Sequence, residues 1–418
     1  MNATPDHSAV IPTPSQSTAA LLPPEIVDCI FEHFDFDYSL ETRQQDQIVR
    51  SDNLSNMSVI AEGWRGPARR LLCRTVCVWR WEQLAEGVPE WARGGLQNAS
   101  IQHSSWRGAQ SHDAASAFFK FFQHAPNLRL LHLDCPPFHS FDASDSVLMR
   151  TTPFLPLLRD LTVSSGGPFP HSVISDILAA SDYQVRRLRL QTYRSITPPI
   201  PRERLDFGGN LRYLHVEGHS SALNCFQPLP SSLDGLKEMY VETIDGQSSD
   251  RARRLLTEVA ASLEKLTIRN GDVTGIVASF PLLTRLTRLW IPRIPASSDS
   301  LLLPPSLVSL QCFKDDNLLP LLDRWNAEPS LLPATLQQIN IRWVMNLQTF
   351  ERLPPLARFV TVYNNQLVES LRRLTPRTLS LTALEVYFDR YRLDKVAAVE
   401  AECERLEVEY HRRHESLD

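Results

Sequence analysis

The chain predicts an α/β solenoid: parallel strands stacked along one face, helices outside them, a small all-helical segment in front and a capping helix behind. Three observations carry that expectation. A short apolar pattern, L-x-x-L-x-L or a close variant, recurs eleven times between Leu128 and Val386. Its step averages about 25 residues, inside the range of roughly 20–29 found in stacked strand–helix repeats. The segments between copies carry helical periodicity. The expected boundaries are 1–20, 21–82, 83–392 and 393–418.

Residues 1–20, MNATPDHSAVIPTPSQSTAA, are polar and rich in Ser, Thr and Pro. Such a composition cannot bury a core, so this segment is expected to be disordered. It has no basic start followed by an apolar stretch, so it does not read as a secretory signal.

Residues 21–82 read as three short helices. Two prolines and Glu25 open LLPPEIVDCIFEHF in a manner that suits a helix start. Ile26, Val27, Ile30, Phe31 and Phe34 then recur at helical spacing. After a polar stretch, Leu54, Met57, Ile60, Ala61 and Trp64 share a second face. Pro67 interrupts the pattern, and Ala68, Leu71, Leu72 and Val76 form a third stripe.

The repeat copies begin at Leu128, Leu158, Val185, Leu211, Leu236, Leu263, Leu286, Leu307, Leu336, Ala357 and Leu381. Alternate residues of a strand share a side, so the last two apolar positions of each copy face the same way. Leu131 with Leu133, Leu188 with Leu190, and Leu266 with Ile268 are examples. One such strand cannot bury its apolar face alone; stacking in parallel gives a continuous core and a backbone ladder. The spacing is that of leucine-rich repeats, without the asparagine or cysteine that usually follows the last leucine. Between strands, Ser172–Ala180, the run RARRLLTEVAASLEKL, NLLPLLDRW and QLVESLRRL read as amphipathic helices. The last stretch, 393–418, sets Val396, Val399, Cys403, Leu406 and Tyr410 at helical steps and reads as the cap of the final repeat.

If the leucines point inward, the residues between them line the concave face. Eleven strands at about 4.8 Å each span on the order of 48 Å, enough for a protein interface. The target-binding residues expected there are Arg187, Arg189, Tyr213, His215, Tyr240, Lys265, Arg288 and Trp290. Aromatic and Arg side chains dominate binding hot spots. Glu217, Glu238 and Glu242 accompany them, so the face is mixed in sign and suits a protein ligand better than a polyanion.

Composition excludes several classes. Charged residues make up 22%, apolar residues 43%, and net charge is −5, so there is no basic excess of the nucleic-acid-binding kind. No apolar run approaches the length of a membrane helix. Seven cysteines without a C-x-x-C pair point to a reducing, intracellular setting, cytoplasmic or nuclear. Cys73 and Cys77, one helical turn apart, lack further ligands and read as free thiols. The HVEGH run from His215 to His219 has no third close histidine and reads as chance spacing. No Walker loop, G-x-G-x-x-G, H-E-x-x-H or G-x-S-x-G is present. No catalytic residue, metal site or cofactor is expected.

The segment L-P-P-E-I-V-x-x-I-F-x-x-F (Leu22–Phe34), with L-x-x-M-S-V-I-A-E-G-W-R (Leu54–Arg65) and PARRLL after it, resembles an F-box of the fungal type. Its layout with the repeats resembles the F-box proteins with leucine-rich repeats. About eighteen polar residues stand between the first two helices, where a short link is usual in that family. The resemblance implies a non-enzymatic substrate-recognition subunit of an SCF-type (cullin–RING) ubiquitin ligase, monomeric outside its complex. Leu22, Pro23, Glu25, Ile26, Ile30 and Phe31 would then face a Skp-type adaptor, and Met57, Val59 and Trp64 would hold the small domain together. The repeats would bind a protein target. The competing expectation is a non-catalytic interaction scaffold whose N-terminal helices only cap the solenoid.

Overall fold

Period-two alternation of leucine-like residues has one consequence in the computed structural model: a single all-parallel sheet in which the apolar positions of successive strands stand opposite one another. The structure describes residues 74–78, 93–102, 111–134, 141–166, 170–193, 205–219, 232–246, 248–295, 301–313, 317–346, 383–387 and 409–413, with isolated positions between them. The strands are β1 (Thr75–Val78), β2 (Asn98–Ile101), β3 (Leu130–Asp134), β4 (Asp160–Ser165), β5 (Arg187–Thr192), β6 (Tyr213–Gly218), β7 (Glu238–Ile244), β8 (Lys265–Gly271), β9 (Arg288–Ile291), β10 (Ser309–Phe313), β11 (Gln338–Asn346), β12 (Ala383–Tyr387) and β13 (Glu409–Arg413). Their order in the sheet is their order in the chain. A crossover between parallel neighbouring strands, repeated without reversal, yields this solenoid-like architecture.

Register confirms the continuous row. Ala99, Leu131, Leu161, Leu188, Leu214, Met239, Leu266, Leu289, Leu310 and Ile339 are successive partners from β2 to β11. All are buried, as are the opening residues of the copies from Leu128 to Leu336. They belong to one core cluster that also contains the helical residues of the other layer.

The entry to each strand is built from backbone. A tight turn closes before it, with the amides of Leu128, Leu158, Leu236, Leu286 and Leu307 bonded to the carbonyls of Ala125, Leu155, Leu233, Leu283 and Pro304. Pro126, Pro156 and Pro305 take the second turn position, where a fixed φ near −65° suits a type I turn. The next two amides then share one carbonyl of the preceding unit. Arg159 and Asp160 bond to Arg129, Arg186 and Arg187 to Arg159, and Arg212 and Tyr213 to Arg186. This arrangement sets the stagger between units independently of side chains.

The outer layer holds α1 (Ser111–Gln123), α2 (Ala143–Thr151), α3 (His171–Ala180), α4 (Ser249–Glu258) and α5 (Leu318–Ala327), with 3-10 turns at Val277–Leu282 and Pro329–Leu331. α3 covers the expected Ser172–Ala180 and buries Val173, Ile174, Ile177 and Leu178. α2 is tied to it by the Arg150 Nε hydrogen bond to Asp176 Oδ1, 2.7 Å long, whose acceptor is buried. α1 was not legible as a repeat element; it buries Phe118, Phe121 and Phe122, with Phe118 and Phe122 ring centroids 4.1 Å apart.

Several expectations need correction. The sheet starts before Leu128: Val76 lies on β1 and not on a third helix, and Cys77 is a strand residue. Leu96, Ala99 and Ile101 form a further unit with a small central residue. α4 ends at Glu258, short of the expected run through Leu266, because Leu263 must enter the next turn and bonds back to Val259. β11 pairs directly with β12, with Trp343 opposite Leu384, where the regular offset would oppose Ile339 to Leu384. No strand of the expected copy at Ala357 stands between them; that copy and the QLVESLRRL helix lie outside the described residues. Tyr410, expected on the capping helix, is in β13 and pairs with Leu384. The adaptor-facing residues Leu22, Pro23, Glu25, Ile26, Ile30 and Phe31, and the first twenty residues, also lie outside the described residues.

Candidate functional site: the open face of the sheet

The face opposite the leucines carries three columns of side chains, because every second residue of each strand points there. The first column runs Asp160, Arg187, Tyr213, Glu238, Lys265, Arg288 and Ser309. The second runs Ser100, His132, Thr162, Arg189, His215, Tyr240, Thr267, Trp290 and Gln311. The eight residues expected to bind a target occupy the first two columns on β5 to β9 and form one contiguous patch.

Arg187 and Arg288 are exposed, and Arg189, Tyr213, Tyr240, Lys265 and Trp290 are half-buried. His215 is the exception. It is only 8% exposed, so it forms part of the floor and not a contact surface. Its Nδ1 accepts from Arg189 Nε at 3.3 Å and lies 3.1 Å from the Tyr213 hydroxyl. The Tyr240 ring lies over it with centroids 4.1 Å apart. With Nδ1 accepting, the ring proton sits on Nε2, which has no hydrogen-bond partner and faces Glu217 Oε2 at 3.5 Å. Burial, seconded by the Arg189 charge, lowers its pKa to about 4, so it is neutral at physiological pH. Burial raises the phenol pKa values of Tyr213 and Tyr240, against the lowering effect of Arg189 and Arg269 respectively.

A line of hydrogen bonds crosses five strands and was not anticipated. Gln102 Nε2 donates to Ser100 Oγ at 2.6 Å, and Ser100 lies 3.1 Å from His132 Nδ1. His132 Nε2 is 3.4 Å from Ser164 Oγ, which donates to Gln191 Oε1 at 2.7 Å. Gln191 Nε2 donates to Glu217 Oε2 at 2.7 Å. Each member can donate forward and accept from behind only if His132 is neutral and protonated on Nε2. Burial lowers the His132 pKa in the same sense, against the raising effect of Asp134. Regular spacing of polar residues at alternate strand positions was the available signal; their lateral register was not.

Charge is divided along the strands. Near the strand starts, Arg187 meets Asp160 at 3.7 Å and Lys265 meets Glu238 at 3.4 Å. Burial raises the Asp160 pKa, opposed by Arg187. Arg288 stands directly beside Lys265 in register and has no ion-pair partner among the described residues. Near the strand ends lie Glu217 and Glu242; Glu242 accepts from the Gly218 amide at 2.6 Å and pairs with Arg269 at 3.8 Å. The expected mixed sign therefore persists on both edges, with a small net positive charge at the strand starts, where Arg187, Lys265 and Arg288 face Asp160 and Glu238, and a small net negative charge at the strand ends, where Glu217 and Glu242 face Arg269.

No group of three or more His, Cys, Asp or Glu side chains among the described residues has the geometry of a metal site. None of the described helices is long and apolar enough to cross a membrane. Cys312 is buried and Cys77 half-buried, and neither is in a disulfide. No protein-family model matches this chain. No curated protein matches it either.

Proposed function

We propose that this chain is the substrate-recognition subunit of an SCF-type ubiquitin ligase and that its open sheet face holds the protein to be modified. Two features support the reading. The F-box resemblance of Leu22–Phe34 and Leu54–Arg65 suggests the adaptor contact, through Leu22, Pro23, Glu25, Ile26, Ile30 and Phe31. The observation that carries the target side is the contiguous patch of Arg187, Arg189, Tyr213, Tyr240, Lys265, Arg288 and Trp290 on rigid neighbouring strands. Large aromatic and cationic side chains preorganised by a sheet bind protein with little ordering cost. Ubiquitin transfer itself belongs to partner enzymes; this chain contributes proximity.

The test is affinity capture of the full chain from its source cells with the proteasome inhibited. A Skp-type adaptor is expected in the wild-type capture and absent from an Ile30→Asp/Phe31→Asp variant whose circular dichroism is unchanged. Retention of the adaptor by that variant refutes the assigned docking surface. Absence of any adaptor from the wild-type capture refutes the ligase role.

One observation favours the scaffold reading. β1 lies inside the segment expected to be a separate helical domain and is laddered to β2 through Thr75–Val78. A head sharing a sheet with the repeats can serve as their cap. Under that reading, deleting residues 1–80 aggregates the repeats and the chain captures no adaptor.

A further inference from the structure

The strand-start edge of the open face, net positive through Arg288, has the spacing of a two-point anion clamp. Arg187 and Arg189 project to the same side of β5, two residues apart; Arg187 pairs with Asp160 at 3.7 Å, and Arg189 donates from Nε to His215. On the other side of the patch, Lys265 and Arg288 are cross-strand neighbours of like charge. Like charges directly opposite one another destabilise a sheet unless an anion lies between them. Among the described residues Glu238 pairs with Lys265, at 3.4 Å, and the exposed Arg288 has no ion-pair partner. β5 and β8–β9 are three to four strands apart, roughly 14–19 Å. Between them the floor is Tyr213 and Tyr240, resting on His215.

We infer that the open face binds an extended acidic peptide segment, with one Asp or Glu side chain at Arg187/Arg189, a second at Lys265/Arg288, and an apolar residue between them on Tyr213 and Tyr240. This deepens the proposed function and rests on its placement of the target on this face. An extended chain advances about 3.3 Å per residue, so the two carboxylates stand four to six residues apart. Charge complementarity selects the occupant. A nucleic acid presents phosphate along its whole length and would meet Glu217 and Glu242 at the other edge; a peptide with acids at two points avoids them. Scale agrees. A patch about 19 Å across and two columns deep is far smaller than the ~800 Å² each partner gives to a standard globular interface, so the recognised feature is a segment and not a domain.

The experiment pans a display library of random twelve-residue peptides on the immobilised full chain, then on an Arg187→Glu/Arg288→Glu variant and a Tyr213→Ala/Tyr240→Ala variant, each verified by its melting curve. Arg288 has no ion-pair partner among the described residues and Arg187 is 72% exposed at its side chain, so the charge-reversed chain is expected to retain its fold. Peptides with paired acidic residues four to six apart are expected from the wild type. Charge reversal is expected to weaken synthetic copies by roughly three- to tenfold per cation and to select basic peptides instead. Enriched peptides that are neutral or basic, but lost on Tyr213→Ala/Tyr240→Ala, overturn the clamp and leave the target surface standing. Acidic peptides insensitive to charge reversal overturn the clamp as well. Peptides insensitive to both variants, or none at all, overturn the clamp together with the target surface. Single-stranded RNA competing with the peptides at equal charge concentration overturns the choice of occupant.

Discussion

Arg189 on β5 donates from Nε to Nδ1 of His215 on β6 across 3.3 Å, and its charge adds to the burial that keeps this imidazole neutral. The two residues are register partners, so the contact follows from strand stacking. Burial, with the guanidinium beside the ring, makes protonation of His215 costly.

Stability therefore depends on pH in a defined window. The folded pKa of His215 is about 4 against an ordinary value of 6.5. Between those values the unfolded chain binds the proton and the folded chain does not. Stability then rises with pH, and is lost as pH falls from about 6.5 towards 4, by on the order of 3 kcal/mol in full. His132 contributes in the same direction. Urea unfolding at pH 7.0 and pH 4.5 is expected to show the loss, and His215→Gln is expected to reduce its slope. An equal slope in that variant would exclude His215 as the source.

Two glycines are required by the ladder itself. Gly218 (φ +85°) and Gly271 (φ +103°) end β6 and β8, and an added Cβ would lie 1.9 Å from the Thr192 and Ile244 carbonyl oxygens. Both the positive φ and the clash with the neighbouring strand's backbone oppose a side chain. Gly218→Ala and Gly271→Ala are each expected to cost about 2–4 kcal/mol. Gly246 meets nothing within 4 Å, so Gly246→Ala is the matched control. Thermal melts of the three variants check the ordering.

Among the described residues, the outer layer has one ion pair with a buried member. Arg150 on α2 and Asp176 on α3 meet at 2.7 Å, with side-chain exposures of 43% and 2%. Removing the arginine leaves a buried carboxylate unpaired, although water reaches the site from the Arg150 side and moderates the loss. Arg150→Ala is expected to cost about 1–2 kcal/mol, and a double-mutant cycle with Asp176→Ala should return most of that as coupling. Additive single effects would show the pair to be energetically silent.

The apolar row and the open face should respond differently to truncation. Leu266→Ala is expected to cost about 2–5 kcal/mol, because a buried leucine leaves a cavity in a close-packed layer. Arg288→Ala, on the same sheet but exposed, should change stability by less than about 0.5 kcal/mol. Hydrogen exchange would locate the first loss in β7 to β9, since each unit contacts only its neighbours.

The repeats from Leu128 to Leu336 were legible because each presents leucine-like residues at three fixed positions, and every such position from Leu128 to Ile339 is buried. The unit at Leu96 was not, because its central position is Ala99, too small to stand out in a pattern of leucines. β1 was read as helix because Leu72 and Val76 also satisfy a four-residue step, and short apolar runs fit either period. Tyr410 was misread for the same reason. The patch from Arg187 to Trp290 was legible from alternation alone, but His215 was misjudged, because alternation gives the side of the sheet and says nothing of depth.

By itself the sequence determined the strand period, the inward row and the sign and type of side chain on the open face, since these follow from local geometry and apolar spacing. Tertiary structure alone decided what lies beside what: Arg288 next to Lys265, the hydrogen-bonded line from Gln102 to Glu217, and the altered offset of β12 on β11. Those relations join residues some 20 or more positions apart. They arise when one strand's backbone amides settle on the carbonyls of another, and no local preference encodes that register.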